Sequence, residues 1–184
     1  MTHNAEDHDC TTMLVEMKAT PEVPYRFVDA GLPNVELVGI RYFVCKVCKR
    51  IVKAEIPAVK DLLDALGRAV VTKVSPLTGD QLRFLRKRLG IRQADFASVL
   101  KVSAEQLSRL ENEHSTLTGA MEGYVRLAYT FMSKDTKLKK FAQSVQQNFC
   151  KWATSIHGSG TNEHITAEYK ANRQWTAEAV PAAA

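Results

Sequence analysis

Leu77–Asn112 reads LTGDQLRFLRKRLGIRQADFASVLKVSAEQLSRLEN, and the spacing of its apolar residues decides the fold. Leu82, Leu85 and Leu89 recur at i, i+3 and i+7, which gives a first short helix one apolar face. Gly90 follows where a left-handed C-terminal cap is required, a conformation glycine adopts without steric cost. A second helix, Gln93 to about Leu100, turns Phe96, Ala97 and Leu100 inward. A break at Lys101-Val102 leads to Ser103, whose hydroxyl can accept from the free N–H groups of a third helix. That helix runs from about Ala104 to Glu111 and buries Leu107 and Leu110. The small Ala97 falls where the second and third helices must approach closely.

Three short helices in this order are the grammar of a helix-turn-helix, whose last helix lies in the DNA major groove. The stretch RQADFASVLKVSAEQLSRLEN resembles the Cro/phage-repressor type, with Gln93-Ala94 opening the second helix and Leu110-Glu111-Asn112 closing the third. The plainer alternative is a small helical bundle, but Gly90, Ala97 and Ser103 all fall in step with the motif. The resemblance implies double-stranded DNA as partner, with Gln93 gripping a phosphate beside the helix N–H groups and Asn112 as a second phosphate residue. With Leu107 and Leu110 inward, Ala104, Glu105, Ser108 and Arg109 lie outward behind the Ser103 cap. Arg109 can make a bidentate contact to guanine, worth about 1–3 kcal/mol of discrimination. Glu105 can accept from cytosine N4 or orient Arg109 one turn on; the bland alternative is a surface ion pair worth little. Between residues 77 and 116, Arg83, Arg86, Lys87, Arg88, Arg92, Lys101 and Arg109 stand against Asp80, Asp95, Glu105, Glu111 and Glu113, a net charge of only +2. One module should therefore bind weakly, and a homodimer on a palindromic operator with half-sites one helical turn apart is expected.

Working outward, the 184 residues allow one domain or two small ones, and 45% hydrophobic content suffices for a packed core. A net charge of +5 with pI near 9.0 suits a polyanionic partner. No apolar run is long enough for a membrane helix, so no membrane role is expected. The acidic opening MTHNAEDHD lacks the basic-then-apolar pattern of a signal peptide. A reducing cytoplasm is expected, where four cysteines suggest metal before disulfide.

Residues 1 to about 23 are polar apart from Met13-Leu14-Val15, which allows a single weak strand. From Pro24 the text becomes β-rich: Val35, Leu37, Ile40, Tyr42 and Val44, then Ile51, Val52 and Ile56, with Gly39 marking a bulge. Two or three antiparallel strands are expected around Cys45-Lys46-Val47-Cys48. Two cysteines three apart in a tight turn can place both thiolates on one zinc. A structural zinc takes four ligands, and His8 with Cys10 is the nearest upstream pair. A knuckle without metal and a thiol pair that merely packs are the alternatives. A redox role is disfavoured, because no βαβ pattern surrounds the motif. YRFVDAGLPNVELVGI, CKVC, IPAVKDLLDALG and LTGDQLRFLRKRLG together resemble the MqsA-type antitoxins, over about Tyr25 to Asn112. That family joins an N-terminal zinc-ribbon half to a Cro-type helix-turn-helix. The resemblance places its second Cys-x-x-Cys on Cys45 and Cys48, whereas the first pair is absent as such, leaving Cys10 and His8. It also implies neutralisation of a toxin through the N-terminal half.

Ala58 to about Val71 reads as a helix with Leu62, Leu63, Leu66 and Val70 inward, and Pro76 ends the linker that follows. Leu117 to Met132 is a further helix with Ala120, Tyr124, Leu127 and Phe131 on one side. In the resembled family such a helix closes the bundle and contributes to the dimer. Leu138, Phe141, Val145, Phe149 and Trp152 form another helical stripe, packed on the bundle or serving as an interface. Cys150 reads as a packed thiol, and from His157 onward a flexible tail is expected, in which Trp175 has no place.

The fold class is α+β: a zinc-ribbon-like half over 1–74, a helix-turn-helix domain over 75–132, an amphipathic helix over 133–156 and a tail over 157–184. The functional expectation is a repressor that regulates its own operon as an antitoxin. The alternative is a protein-binding module with weak DNA binding. No nucleophile–base pair or phosphate-cradling glycine loop suggests an enzyme.

Overall fold

The computed structural model describes residues 14–140 and 164–180. The chain runs through strands β1 (Leu14–Lys18), β2 (Tyr25–Arg26), β3 (Val35–Val38), β4 (Arg41–Cys45) and β5 (Ile51–Glu55). Helices α1 (Val59–Thr72), α2 (Gly79–Leu89), α3 (Gln93–Leu100), α4 (Ala104–Glu111), α5 (Gly119–Met132) and α6 (Thr136–Lys140) follow. Two last strands, β6 (His164–Tyr169) and β7 (Trp175–Val180), return to the N-terminal half. The class is α+β, and no helix among the described residues is long and apolar enough to cross a membrane.

Two sheets share the N-terminal half. The first is antiparallel, in order β1-β4-β5, with the cysteine turn joining β4 to β5. The second is mixed, in order β2-β3-β6-β7, with β3 and β6 parallel. Gly39 does not mark a bulge within one strand: it sits between β3 and β4, where the chain leaves one sheet for the other. Its φ of +85° suits glycine, and a Cβ there would lie 2.6 Å from the Tyr169 carbonyl oxygen. The register shift falls instead between Phe43 and Val44, opposite β5.

The expected tail is corrected by the C-terminal hairpin. β6 and β7 complete the second sheet, and α1 packs against both strands. The physical reason is the apolar set Ile165, Ala167 and Trp175, buried against a core the local sequence does not reveal. Trp175 is 2% exposed and its indole Nε1 donates to the Pro57 carbonyl at 2.8 Å. Tyr169 packs against its ring. The rest of the tail (157–163 and 181–184) lies outside the described residues, as does the 138–152 stripe beyond Leu138, which is buried.

α1 is the shared element. Leu62, Leu66 and Val70 are buried as expected, whereas Leu63 is only partly so. The helix also packs against α2 and α5, and one contiguous cluster of buried side chains runs from Phe27 through Leu82 and Leu107 to Trp175. Behind it, Arg126 of α5 is fully buried. Its guanidinium donates to the carbonyls of Val70 (3.1 Å), Val71 (2.7 Å), Lys73 (3.0 Å) and Ser75 (2.8 Å) and to Glu122 (2.5 Å). This bonding holds the end of α1 and the 72–76 linker against α5.

α5 closes the bundle with Glu122, Val125, Arg126 and Tyr129. The stripe expected from the sequence faces the other way: Tyr124 is 50% and Phe131 78% exposed.

Candidate nucleic-acid interface

Each helix of the motif begins and ends on a local device. Thr78 and Gln81 form a reciprocal capping box at the start of α2, a signal the sequence carries as T-x-x-Q. Gly90 ends α2 at φ +70°, as the sequence requires. α3 ends at Lys101, which adopts the left-handed conformation at φ +57°. Val102 N–H then donates to the Ala97 carbonyl at 3.0 Å, which turns the chain toward α4. Ser103 caps α4, its hydroxyl accepting from the Gln106 N–H at 3.0 Å. Phe96, Ala97, Leu100, Leu107 and Leu110 are buried between these helices.

The turn is locked by Glu111, a carboxylate only 2% exposed at the end of α4. Arg86 of α2 grips it bidentately, Nε donating at 2.5 Å and Nη2 at 2.9 Å. Arg86 also donates to the Ile91 carbonyl at 3.1 Å. Arg83 donates to the Glu111 carbonyl at 2.6 Å and to Asn112 Oδ1 at 2.6 Å. Gln93 Nε2 donates to the Glu111 carboxylate at 3.2 Å. A single buried acid thereby ties α2, α3 and α4 into a fixed relative geometry.

The residues expected to touch DNA fall into two groups. Gln93, Ser108 and Asn112 are engaged within the motif: Gln93 on Glu111, and Asn112 Nδ2 on the Ser108 carbonyl at 2.8 Å and its hydroxyl at 3.4 Å. Ser103 serves as the helix cap. Ala104, Glu105 and Arg109 are exposed on α4, and the Arg109 side chain makes no ion pair or hydrogen bond among the described residues. Glu105 and Arg109, one turn apart, form no ion pair with each other. Gln106 shares this exposed surface. It was legible in the sequence as one more position of α4 that is neither Leu107 nor Leu110.

Charge on this unit is mostly spent internally. Arg83 pairs with Asp80 at 3.3 Å and with Glu111 at 3.8 Å, and Arg88 with Asp64. Arg92 pairs with Asp95 at 2.8 Å. That hydrogen bond holds the Asp95 carboxyl below its usual value and raises the Arg92 guanidinium. Of the motif's seven cations, Lys87, Lys101 and Arg109 have no such partner among the described residues.

The cysteine turn is a second candidate site. Cys45 ends β4 and is buried, and Cys48 is half-buried in the turn. Lys49 N–H donates to the Cys45 carbonyl at 3.0 Å and Cys45 N–H to the Arg50 carbonyl at 2.9 Å, closing a tight knuckle. The donors are of the type zinc takes and make half of a tetrahedral set. No group of three or more metal-binding side chains occurs among the described residues, and His8 and Cys10 lie outside them. β1 begins with Leu14, paired to Cys45 at the knuckle end of the sheet.

Residues 82–121 match the helix-turn-helix family, which takes in the last turns of α2, all of α3 and α4, and the start of α5. No curated protein and no solved structure matches the chain.

Proposed function

We propose that the chain is a sequence-specific, cytoplasmic repressor that reads a palindromic operator as a homodimer and acts on its own promoter. The observation that carries this reading is α4: Glu105, Gln106 and Arg109 stand exposed and uncommitted on a helix whose angle Glu111 fixes. A rigid helix with free side chains is what base-edge readout needs, because positional error costs hydrogen bonds. Gln93, held by Glu111, presents the N-terminus of α3 to a phosphate, and the side-chain amide of Asn112, held by Arg83 and Ser108, serves as a second phosphate contact.

The dimer is supported by α5. Its outward face offers Tyr124, Leu127, Ala128 and Phe131, and an antiparallel two-fold between Leu127 and Ala128 sets Tyr124 of one copy against Phe131 of the other. A toxin-neutralising role, as an antitoxin of a two-gene operon, is supported by the β1-β4-β5 sheet, which leaves Leu14, Met17, Ile51 and Val52 exposed outside the DNA-binding unit. Zinc on Cys45 and Cys48, completed by His8 and Cys10, belongs to the same reading; bound there, it would brace the knuckle.

The test is binding of the full chain to DNA from its own promoter, against random DNA at a stated salt concentration. Arg109→Ala is expected to lose roughly five- to hundredfold of the discrimination between them, the equivalent of about 1–3 kcal/mol. Retained binding to a partner protein by that variant would support the second role. No preference of the wild type for the promoter would overturn the repressor reading.

A further inference from the structure

We infer that the cysteine turn at the tip of the β4–β5 hairpin is a second phosphate contact on the same DNA, flanking the site read by α4. The inference rests on the DNA-binding reading above and adds to it a separate surface in the other half of the chain.

The motif is short of free charge. Arg83, Arg86, Arg88 and Arg92 are held by Asp80, Glu111, Asp64 and Asp95, which leaves Lys87, Lys101 and Arg109 for the polyanion. Phosphate neutralisation supplies most of the affinity in such complexes, so three cations are a thin supply.

The knuckle holds what the motif lacks. Lys46, Lys49 and Arg50 are all exposed within five residues, and none makes an ion pair or side-chain hydrogen bond among the described residues. The nearest acids of the sheet are occupied further along the strands. Glu16 faces Arg41 at 3.5 Å, and Glu55 pairs with Arg41 at 2.8 Å and Lys53 at 3.5 Å. Other exposed cations, such as Lys60, Arg92 and Lys170, do pair with carboxylates. Among the described residues, the three cations of the turn thus form a local charge with no carboxylate paired to it.

Geometry makes the turn a projection. β5 leads through Pro57 into α1, so the knuckle lies at the opposite end of two five-residue strands, about 17 Å from that junction. The backbone of the turn is pinned by the Cys45–Arg50 and Lys49–Cys45 hydrogen bonds, with Lys49 at φ +61°. Three cations on a pinned turn lose less freedom on meeting phosphates than three on a loose loop. A basic arm of this reach suits the backbone of a duplex running past the motif, where contact needs charge and not base recognition.

The experiment measures affinity of the full chain for a promoter duplex at several salt concentrations. The variant Lys46→Gln/Lys49→Gln/Arg50→Gln leaves both cysteines in place, and Lys134→Gln/Lys137→Gln serves as control. Neutralising three phosphate contacts should reduce the slope of log K against log[salt] by roughly 2–3, at about 0.9 per contact. The ratio of promoter to random-DNA affinity should stay unchanged, and circular dichroism should match the wild type. An unchanged slope would overturn the inference, as would an equal fall per charge removed in the control, which would make the effect one of net charge. Weakened binding to RNA or to an acidic protein with DNA binding intact would also overturn it and give the knuckle another partner. Failure of the repressor reading shows separately, in a wild type that does not prefer its promoter.

Discussion

At the scale of single residues, two buried charges organise the molecule. Glu111 is satisfied by Arg86 and Gln93, and Arg126 by four carbonyls and Glu122. Removing one partner of such a group leaves the other desolvated and unpaired, which costs far more than the pair contributes. Arg126→Met is therefore expected to destabilise the fold by about 3–5 kcal/mol, read from the midpoint of chemical denaturation. A shift within a few tenths of a kcal/mol would show that Glu122 and the linker carbonyls find water. Neither charge was legible as buried, since Arg and Glu are surface residues by default and only neighbours distant in sequence reveal the exception. Arg109 is the converse case: its outward position follows from Leu107 and Leu110 alone, by helical spacing.

At the scale of elements, the helices of the motif follow their local signals closely. Apolar spacing, the Gly90 cap and the Ser103 cap each act within one turn, so a short window of sequence contains the whole cause. α5 shows the limit of that logic. Periodicity finds a stripe at Ala120, Tyr124, Leu127 and Phe131, yet the helix buries its other face. Gly67 of α1 lies so close to Tyr129 that a Cβ would collide with the hydroxyl, and this close approach fixes which face of α5 docks. The stripe left outside is the surface proposed above for the dimer. Tyr124→Ser/Phe131→Asp is expected to convert a dimer to a monomer in sedimentation equilibrium and to weaken operator binding at low protein concentration. A wild type that stays monomeric at micromolar concentration would sink the α5 interface.

At the scale of the whole molecule, the C-terminal hairpin joins an N-terminal sheet across the helical bundle. β6 pairs in parallel with β3, and Trp175 seals α1 beside Pro57. Because the buried cluster is continuous from the sheet through α1 into the motif, the two halves should lose structure together. Trp175→Ala is expected to cost about 3–5 kcal/mol and to move one unfolding transition, followed by circular dichroism. An early separate transition, with the helices intact, would mean that the halves fold independently.

The sequence by itself determined the α+β class, the helix-turn-helix with its caps, the β4–β5 hairpin around Cys45 and Cys48, and the outward set on α4. All of these rest on hydrogen bonds and apolar faces within a few residues of one another. Only the tertiary structure decided that residues 164–180 are strands, that Gly39 turns the chain between sheets, that α5 exposes its apolar stripe, and that most arginines of the motif are committed to carboxylates. Those outcomes depend on which surfaces meet across tens of residues: β6 finds the β3 edge, Tyr129 finds Gly67, and Arg86 finds Glu111. Pairing energies of that kind have no period and no local signature, so a linear reading has nothing to measure them by.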